Sequence, residues 1–144
     1  MNIHEQFIII DDDTTSTLIG KYMIRQVLGE IDILTFTEVE KGIDYLKSTI
    51  INPEKAIKHI LLLDINMPFI SGWDALNIIN KLDDGIKNLL TIFMLSSSID
   101  PKDKQRAMDH PLVKDYIEKP LTALKLNTSL NKLILISKTL ANPV

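Results

Sequence analysis

The chain has 144 residues, 45% of them apolar and 24% charged, which fits one globular domain and excludes a disordered or fibrous chain. Its 19 acidic and 16 basic residues leave a net charge of −3, too balanced and of the wrong sign for a nucleic-acid binder. There is no cysteine, hence no disulfide, thiolate metal site or cysteine nucleophile, and no apolar run reaches the ~20 residues of a membrane span.

Met1 to Gln6 include Glu5 and lack an apolar export core, so no signal peptide is read and the expected location is the cytoplasm. Phe7 to Ile10 is a short apolar run and predicts a strand. Leu18, Ile19, Tyr22, Met23 and Val27 recur at spacings of three and four and predict a helix, with Gly29 as its stop. Ile31 to Phe36, interrupted by Asp32, is a weaker strand. Thr37, with Glu40 three residues on, predicts a capping box for a helix containing Val39, Ile43 and Leu46. A long connection, Ser48 to Lys58, leads into the apolar run Ile60 to Leu63. Ala75, Ile78, Ile79 and Leu82 mark a third helix opening near Ser71. Ile92 to Leu95 is the fourth strand. Pro101, just after Asp100, fits the first position of a fourth helix reaching about Asp109. Val113 to Ile117, interrupted by Lys114, is the fifth strand. Leu126, Leu130, Leu133 and Ile134 predict the longest helix, from roughly Leu121 to Lys138, before a short tail at 139–144.

Strand and helix thus alternate five times. The strongest runs lack strict apolar/polar alternation, as expected of strands covered on both faces. The pattern predicts an α/β domain, doubly wound, with a five-stranded parallel sheet and five helices, its core over about residues 6–138. Ligands of such a sheet bind beyond the carboxyl ends of the strands. The residues just past the apolar runs are therefore informative: Asp11-Asp12-Asp13 after the first, Asp64-Ile65-Asn66-Met67-Pro68 after the third, Ser96-Ser97-Ser98 after the fourth, and Glu118-Lys119-Pro120 after the fifth.

Each of these has an ordinary reading. Three aspartates before a helix make a solvated turn with first-turn charge. Asp64 could cap a loop, the serines could cap the Pro101 helix, and Lys119-Pro120 could be a turn. Together they suggest more, because converging carboxylates repel and raise each other's pKa unless a cation neutralises them. Oxygen-only donors favour Mg²⁺ or Mn²⁺ over zinc. A carboxylate nucleophile, a hard cation, a lysine and a hydroxyl are the equipment of phosphoryl transfer through an aspartyl phosphate.

The motifs FIIIDDD, LLLDINMP followed by SGWDAL, MLSSS and DYIEKP, in that order, resemble the response-regulator receiver domain of two-component signalling. The likeness runs from about Phe7 to Lys138 and is to the stand-alone, CheY-like kind without an output domain. It implies a flavodoxin-like fold with strand order 2-1-3-4-5. It implies Asp64 as phospho-acceptor, with Mg²⁺ held by Asp12 directly, Asp11 through water, Asp64, and the backbone carbonyl of Asn66. Ser96 would be the switch hydroxyl, Lys119 the phosphoryl-binding lysine and Tyr116 the aromatic whose rotation reports the switch. Asn66 and Ser98 lie where the family tunes self-dephosphorylation, and Gly72 occupies the usual small turn. The implied partners are a sensor histidine kinase or histidine phosphotransfer protein. A downstream protein would bind the face formed by the fourth helix, fifth strand and fifth helix (α4-β5-α5 in the five-helix count); neither nucleic acid nor membrane is implied. Such a protein is a switch that catalyses only its own phosphorylation and dephosphorylation. An aspartate-dependent phosphohydrolase and a phosphorylation-independent docking module are the rival readings. Trp73 is expected either in the core or at a partner contact, Asp13 is a third acid beside the pair, and His4, His59 and His110 are expected at the surface.

Overall fold

A computed structural model of the chain describes residues 4–49 and 57–141. The elements run β1 (His4–Ile10), α1 (Thr14–Leu28), β2 (Asp32–Phe36), α2 (Val39–Ser48), β3 (Ile57–Asp64), α3 (Gly72–Asn80), α4 (Asp84–Lys87), β4 (Leu90–Ser96), α5 (Pro101–Asp109), β5 (Val113–Glu118) and α6 (Ala123–Ala141). All five strands are parallel, in the order β2-β1-β3-β4-β5. This is the expected doubly wound sheet. Residues 50–56 of the predicted Ser48–Lys58 connection lie outside the described residues, and so do 142–144 of the predicted tail, while α6 runs on past Lys138 to Ala141. Among the described residues no helix is long and apolar enough to cross a membrane.

The side-chain period of two sorts the sheet into two cores. Ile8, Ile10, Leu61, Leu63, Ile92 and Met94 point to the face covered by α2, α3, α4 and α5. Phe7, Ile9, Leu62, Phe93 and Leu95 point to the face covered by α1 and α6. The three inner strands are buried on both sides and read as unbroken apolar runs. β2 lies at an edge with no residue fully buried, and this is why Asp32 can interrupt it.

Three local expectations are corrected. α2 begins at Val39 with Glu38 at its cap and no side-chain capping bond, so the box from Thr37 does not form. Burying Val39 against the sheet stabilises by more than a cap of ~1 kcal/mol. The third helix stops at Asn80, short of Leu82, and a sixth helix is present as the single turn α4, capped by Asp83 on the Gly85 N–H at 2.8 Å. Its Ile86 fills the core edge, a single apolar residue in a turn too short to show a helical period. His59 is not at the surface. It lies 2% exposed on the inner strand β3, with Tyr45 edge-on at 6.1 Å.

The starts of the other helices obey local chemistry. Asp13 caps α1 by accepting from Thr15 and Ser16 N–H, Ser71 and Asp74 form a reciprocal capping box on α3, and Asp100 caps α5 ahead of Pro101. Gly29 closes α1 with φ 73°, a conformation that suits glycine.

Candidate functional site

The carboxyl ends of β1, β3, β4 and β5 meet at one edge. β1 runs out at Ile10, and Asp11 comes next with its N–H on the Phe36 carbonyl, which turns its side chain inward. Asp11 is 1% and Asp64 3% exposed. Asp12, next in the chain, faces solvent. One oxygen from each of Asp11, Asp12 and Asp64 lies within 4.8 Å of the others, a grouping able to hold a metal ion.

Lys119 reaches this cluster from the end of β5. Its Nζ donates to Asp11 Oδ2 at 2.9 Å and sits 3.1 Å from Asp64 Oδ1. The lysine is held by its own N–H on the Ser96 carbonyl at 2.8 Å. The second oxygen of Asp11 accepts from the Asp13 N–H at 2.9 Å. Asp13 itself is committed to capping α1, so the acid pair facing the cluster is Asp11-Asp12 rather than Asp12-Asp13. Among the described residues the Asp12 carboxylate has no hydrogen bond or ion pair, which leaves it free for a ligand.

The electrostatics reflect this geometry. Burial, then the neighbouring charge of Asp11, push the Asp64 carboxyl up to about 6, against the pull of Lys119 and of the Asn66 N–H. Burial works against charge on Lys119 as well, but the two carboxylates outweigh it and hold its pKa above the usual lysine range. A divalent ion fits the residues present: hard oxygen donors alone, one of them exposed, and an excess of negative charge that a single lysine does not cancel.

The remaining expected residues sit around this centre. Asn66 is exposed, two residues past Asp64. Ser96 is fully buried and its hydroxyl accepts from the Ser98 N–H at 2.9 Å. Ser98 is half-buried; its hydroxyl accepts from Asp100 N–H, and its carbonyl accepts from the Tyr116 hydroxyl at 3.2 Å. Tyr116 is thus turned inward, 8% exposed. A register step in β5 aims it there: Ile92 pairs with Val113 but Phe93 pairs with Asp115, leaving Lys114 as an extra residue. Without that bulge Val113 and Tyr116 could not share a face.

Gly72 has a requirement no other residue meets. A Cβ there would lie 2.7 Å from Ile65 Cα and closer still to the Asp64 carbonyl, and its N–H donates to Ile65 O at 2.8 Å. The start of α3 is therefore pressed against the backbone that carries Asp64. An open cleft of about 390 Å³ beside Asp12 is walled by Glu38 and Val39 on one side and Met67, Pro68 and Phe69 on the other.

Several contacts have no signal in the residue pattern. Asp115 is buried behind Tyr116, accepting from the Ser129 hydroxyl and Lys132 ammonium of α6 at 2.6 and 3.0 Å. Burial works against its charge, but these partners hold its pKa below the usual carboxylate range. Trp73 is half-buried against the core with Arg106 stacked on its ring. Phe69 stands fully exposed at φ 69°, unusual for a bulky residue.

Comparison with known proteins bears on the family and the fold. The family described as response regulator receiver domain matches residues 7–131. A two-component response regulator from Cytophaga hutchinsonii has a similar structure, with 30% identity and a TM-score of 0.80 over 92% of this chain and 98% of that one. A response regulator receiver protein from Dyadobacter fermentans is 23% identical with a TM-score of 0.78, covering 90% and 98%. A CheY-like receiver domain protein from Methanospirillum hungatei is 23% identical with a TM-score of 0.62, covering 92% and 98%. The search of curated proteins gives no match.

Proposed function

The chain belongs to the response regulator receiver domain family, and from that premise we propose that it is a phospho-accepting switch whose acceptor is Asp64. The observation that carries this reading is the ammonium of Lys119 lying between two buried carboxylates, Asp11 and Asp64. Two buried carboxylates sharing one lysine are costly in a resting protein, and perturbed groups of this kind cluster at functional sites.

Asp12, Asp11, Asp64 and the Asn66 carbonyl would hold Mg²⁺, which supplies neutralising charge for the carboxylates and the incoming phosphoryl oxygens. Asp64 attacks the phosphorus of a phosphohistidine on a kinase or phosphotransfer protein. The new P–O bond forms as the P–N bond breaks, and the imidazole leaves, taking a proton from solvent. Lys119 holds an oxygen of the acyl phosphate and still holds Asp11. The Ser96 hydroxyl leaves the Ser98 N–H for the phosphoryl group, and this loosens the loop on whose carbonyl the Tyr116 hydroxyl rests. The states so biased are pre-existing. Output passes through the face of α5, β5 and α6 to another protein, in the cytoplasm.

The test is intact-mass analysis after incubation with Mg²⁺ and a small acyl or amido phosphate. The protein should gain one phosphoryl group and Asp64→Asn none. Undiminished gain in the variant, or continuous turnover of phosphate esters by the parent, would overturn the reading.

A further inference from the structure

Helix α5 is held to the domain by very little of its own surface. Of its nine residues only Ala107 is buried. Met108 is 43% exposed, and Ile99, just before the helix, 89%. At its start α5 is joined to the acidic edge by a chain of local hydrogen bonds: Ser98 N–H to Ser96 Oγ, Asp100 N–H to Ser98 Oγ, and Lys102 N–H to Asp100 Oδ1. In its last turn the Arg106 guanidinium carbon sits 4.2 Å from the centroid of the Trp73 ring. Among the described residues Arg106 forms no ion pair, so its charge is directed to the indole face rather than to a carboxylate.

Trp73 is not an arbitrary support. It comes directly after Gly72, whose close approach to Asp64 and Ile65 fixes the start of α3 to the acceptor loop. The end of α5 therefore rests on a residue one peptide bond away from that fixed point, and the beginning of α5 on the loop carrying Ser96. A displacement of the acceptor loop is felt at both ends of the helix.

From these contacts we infer that the Arg106–Trp73 stack is a latch: it tethers α5 to α3 and makes the position of α5 depend on the state of Asp64. Cation–π attraction over a half-buried ring matters most where a helix has almost no apolar anchor, as here. The same contact is weak enough to open when the loop shifts, which a bistable element requires. Arg106 and Trp73 are positioning residues; neither touches the reacting atoms. The coupling half of this inference rests on Asp64 being the phospho-acceptor, whereas the tether itself does not.

Two readouts test it. In metal-free protein, hydrogen exchange over residues 101–109 should quicken about 2- to 5-fold in Arg106→Ala, the factor a partly exposed cation–π contact corresponds to. Exchange in β1 and β3 should be unchanged, and Arg106→Lys, which keeps a cation over the ring, should restore much of the protection. Unchanged exchange in Arg106→Ala, or no rescue by lysine, would overturn the tether. For the coupling, acrylamide quenching of Trp73, the only tryptophan, is measured before and after loading with Mg²⁺ and beryllofluoride. Quenching should change on loading in the parent and not in Arg106→Ala. An equal response in both, with mass analysis separately showing phosphoryl gain at the acceptor, would refute the coupling. Absence of phosphoryl gain would refute the coupling together with the acceptor assignment, leaving the tether to the exchange result.

Discussion

The Lys119 ammonium donates to the Asp11 carboxylate across 2.9 Å, joining the ends of the first and last strands over 108 residues of chain. That bond closes the acidic edge of the sheet. It gives one buried carboxylate a direct ammonium partner, while Asp64, sharing the same lysine at 3.1 Å, is only partly compensated.

Asp64 should therefore cost stability in the metal-free protein. Its folded pKa is raised from 3.8 to about 6, so the folded state favours the protonated form. The stability this lends is present below about pH 4 and is lost as pH rises through about 6. Asp64→Asn should be more stable than the parent at pH 7, by up to roughly 3 kcal/mol, the free-energy equivalent of the shift. The gap in urea midpoints should shrink toward pH 4. A variant less stable than the parent at pH 7 in EDTA would contradict the electrostatic picture.

The two neighbouring acids should separate cleanly. With an affinity of about 1 mM, 10 mM Mg²⁺ should stabilise the parent by about 1.4 kcal/mol. Asp12→Ala should lose this increment with little change in metal-free stability, since Asp12 is exposed and has no partner among the described residues. Asp13→Ala should show the reverse, losing about 1 kcal/mol of helix cap while keeping the Mg²⁺ increment. Thermal melts with and without Mg²⁺ check both.

His59 should confer the opposite pH dependence to Asp64. It is buried, its Nδ1 has no partner among the described residues, and burial lowers its pKa. The unfolded chain takes up the proton first as pH falls, so stability is intact above about 6.5 and declines below it. His59→Leu should lose less stability than the parent between pH 7 and pH 5. Taking the difference between the two proteins at each pH cancels the Asp64 contribution. A constant difference would mean His59 is not buried neutral.

Gly72→Ala should be severely disruptive for so small a change. The new methyl would meet the backbone of Asp64 and Ile65, which cannot move aside as a side-chain tip would. A loss of about 1 to 3 kcal/mol is expected, with weaker Mg²⁺ stabilisation because the acceptor loop shifts. The same substitution at Gly85, where the nearest atom is the Asp83 side chain at 3.1 Å, should cost far less.

Much of this arrangement is legible in the residues alone, for physical reasons. β1, β3 and β4 are inner strands, covered twice, so their apolar runs stand out; Asp11 and Asp64 are visible because charge succeeds those runs abruptly. β2 and β5 are edges, where Asp32 and Lys114 blur the pattern. The bulge that turns Tyr116 inward depends on pairing with β4 and leaves no local mark. Burial of His59 is set by the neighbours of β3, and the single turn α4 is too short for any period. Trp73 meeting Arg106, and Asp115 meeting Ser129 and Lys132, are contacts between distant elements with no spacing to announce them.

The most direct test of the central claim is to trap the acyl phosphate with borohydride and sequence the reduced peptide. Reduction converts a phosphorylated aspartate to homoserine and marks the acceptor. Homoserine is expected at position 64, dependent on Mg²⁺ and absent when Asp12 is replaced by alanine. Homoserine at Asp11, Asp12 or Asp13, or none at all in protein that has bound Mg²⁺, would contradict it.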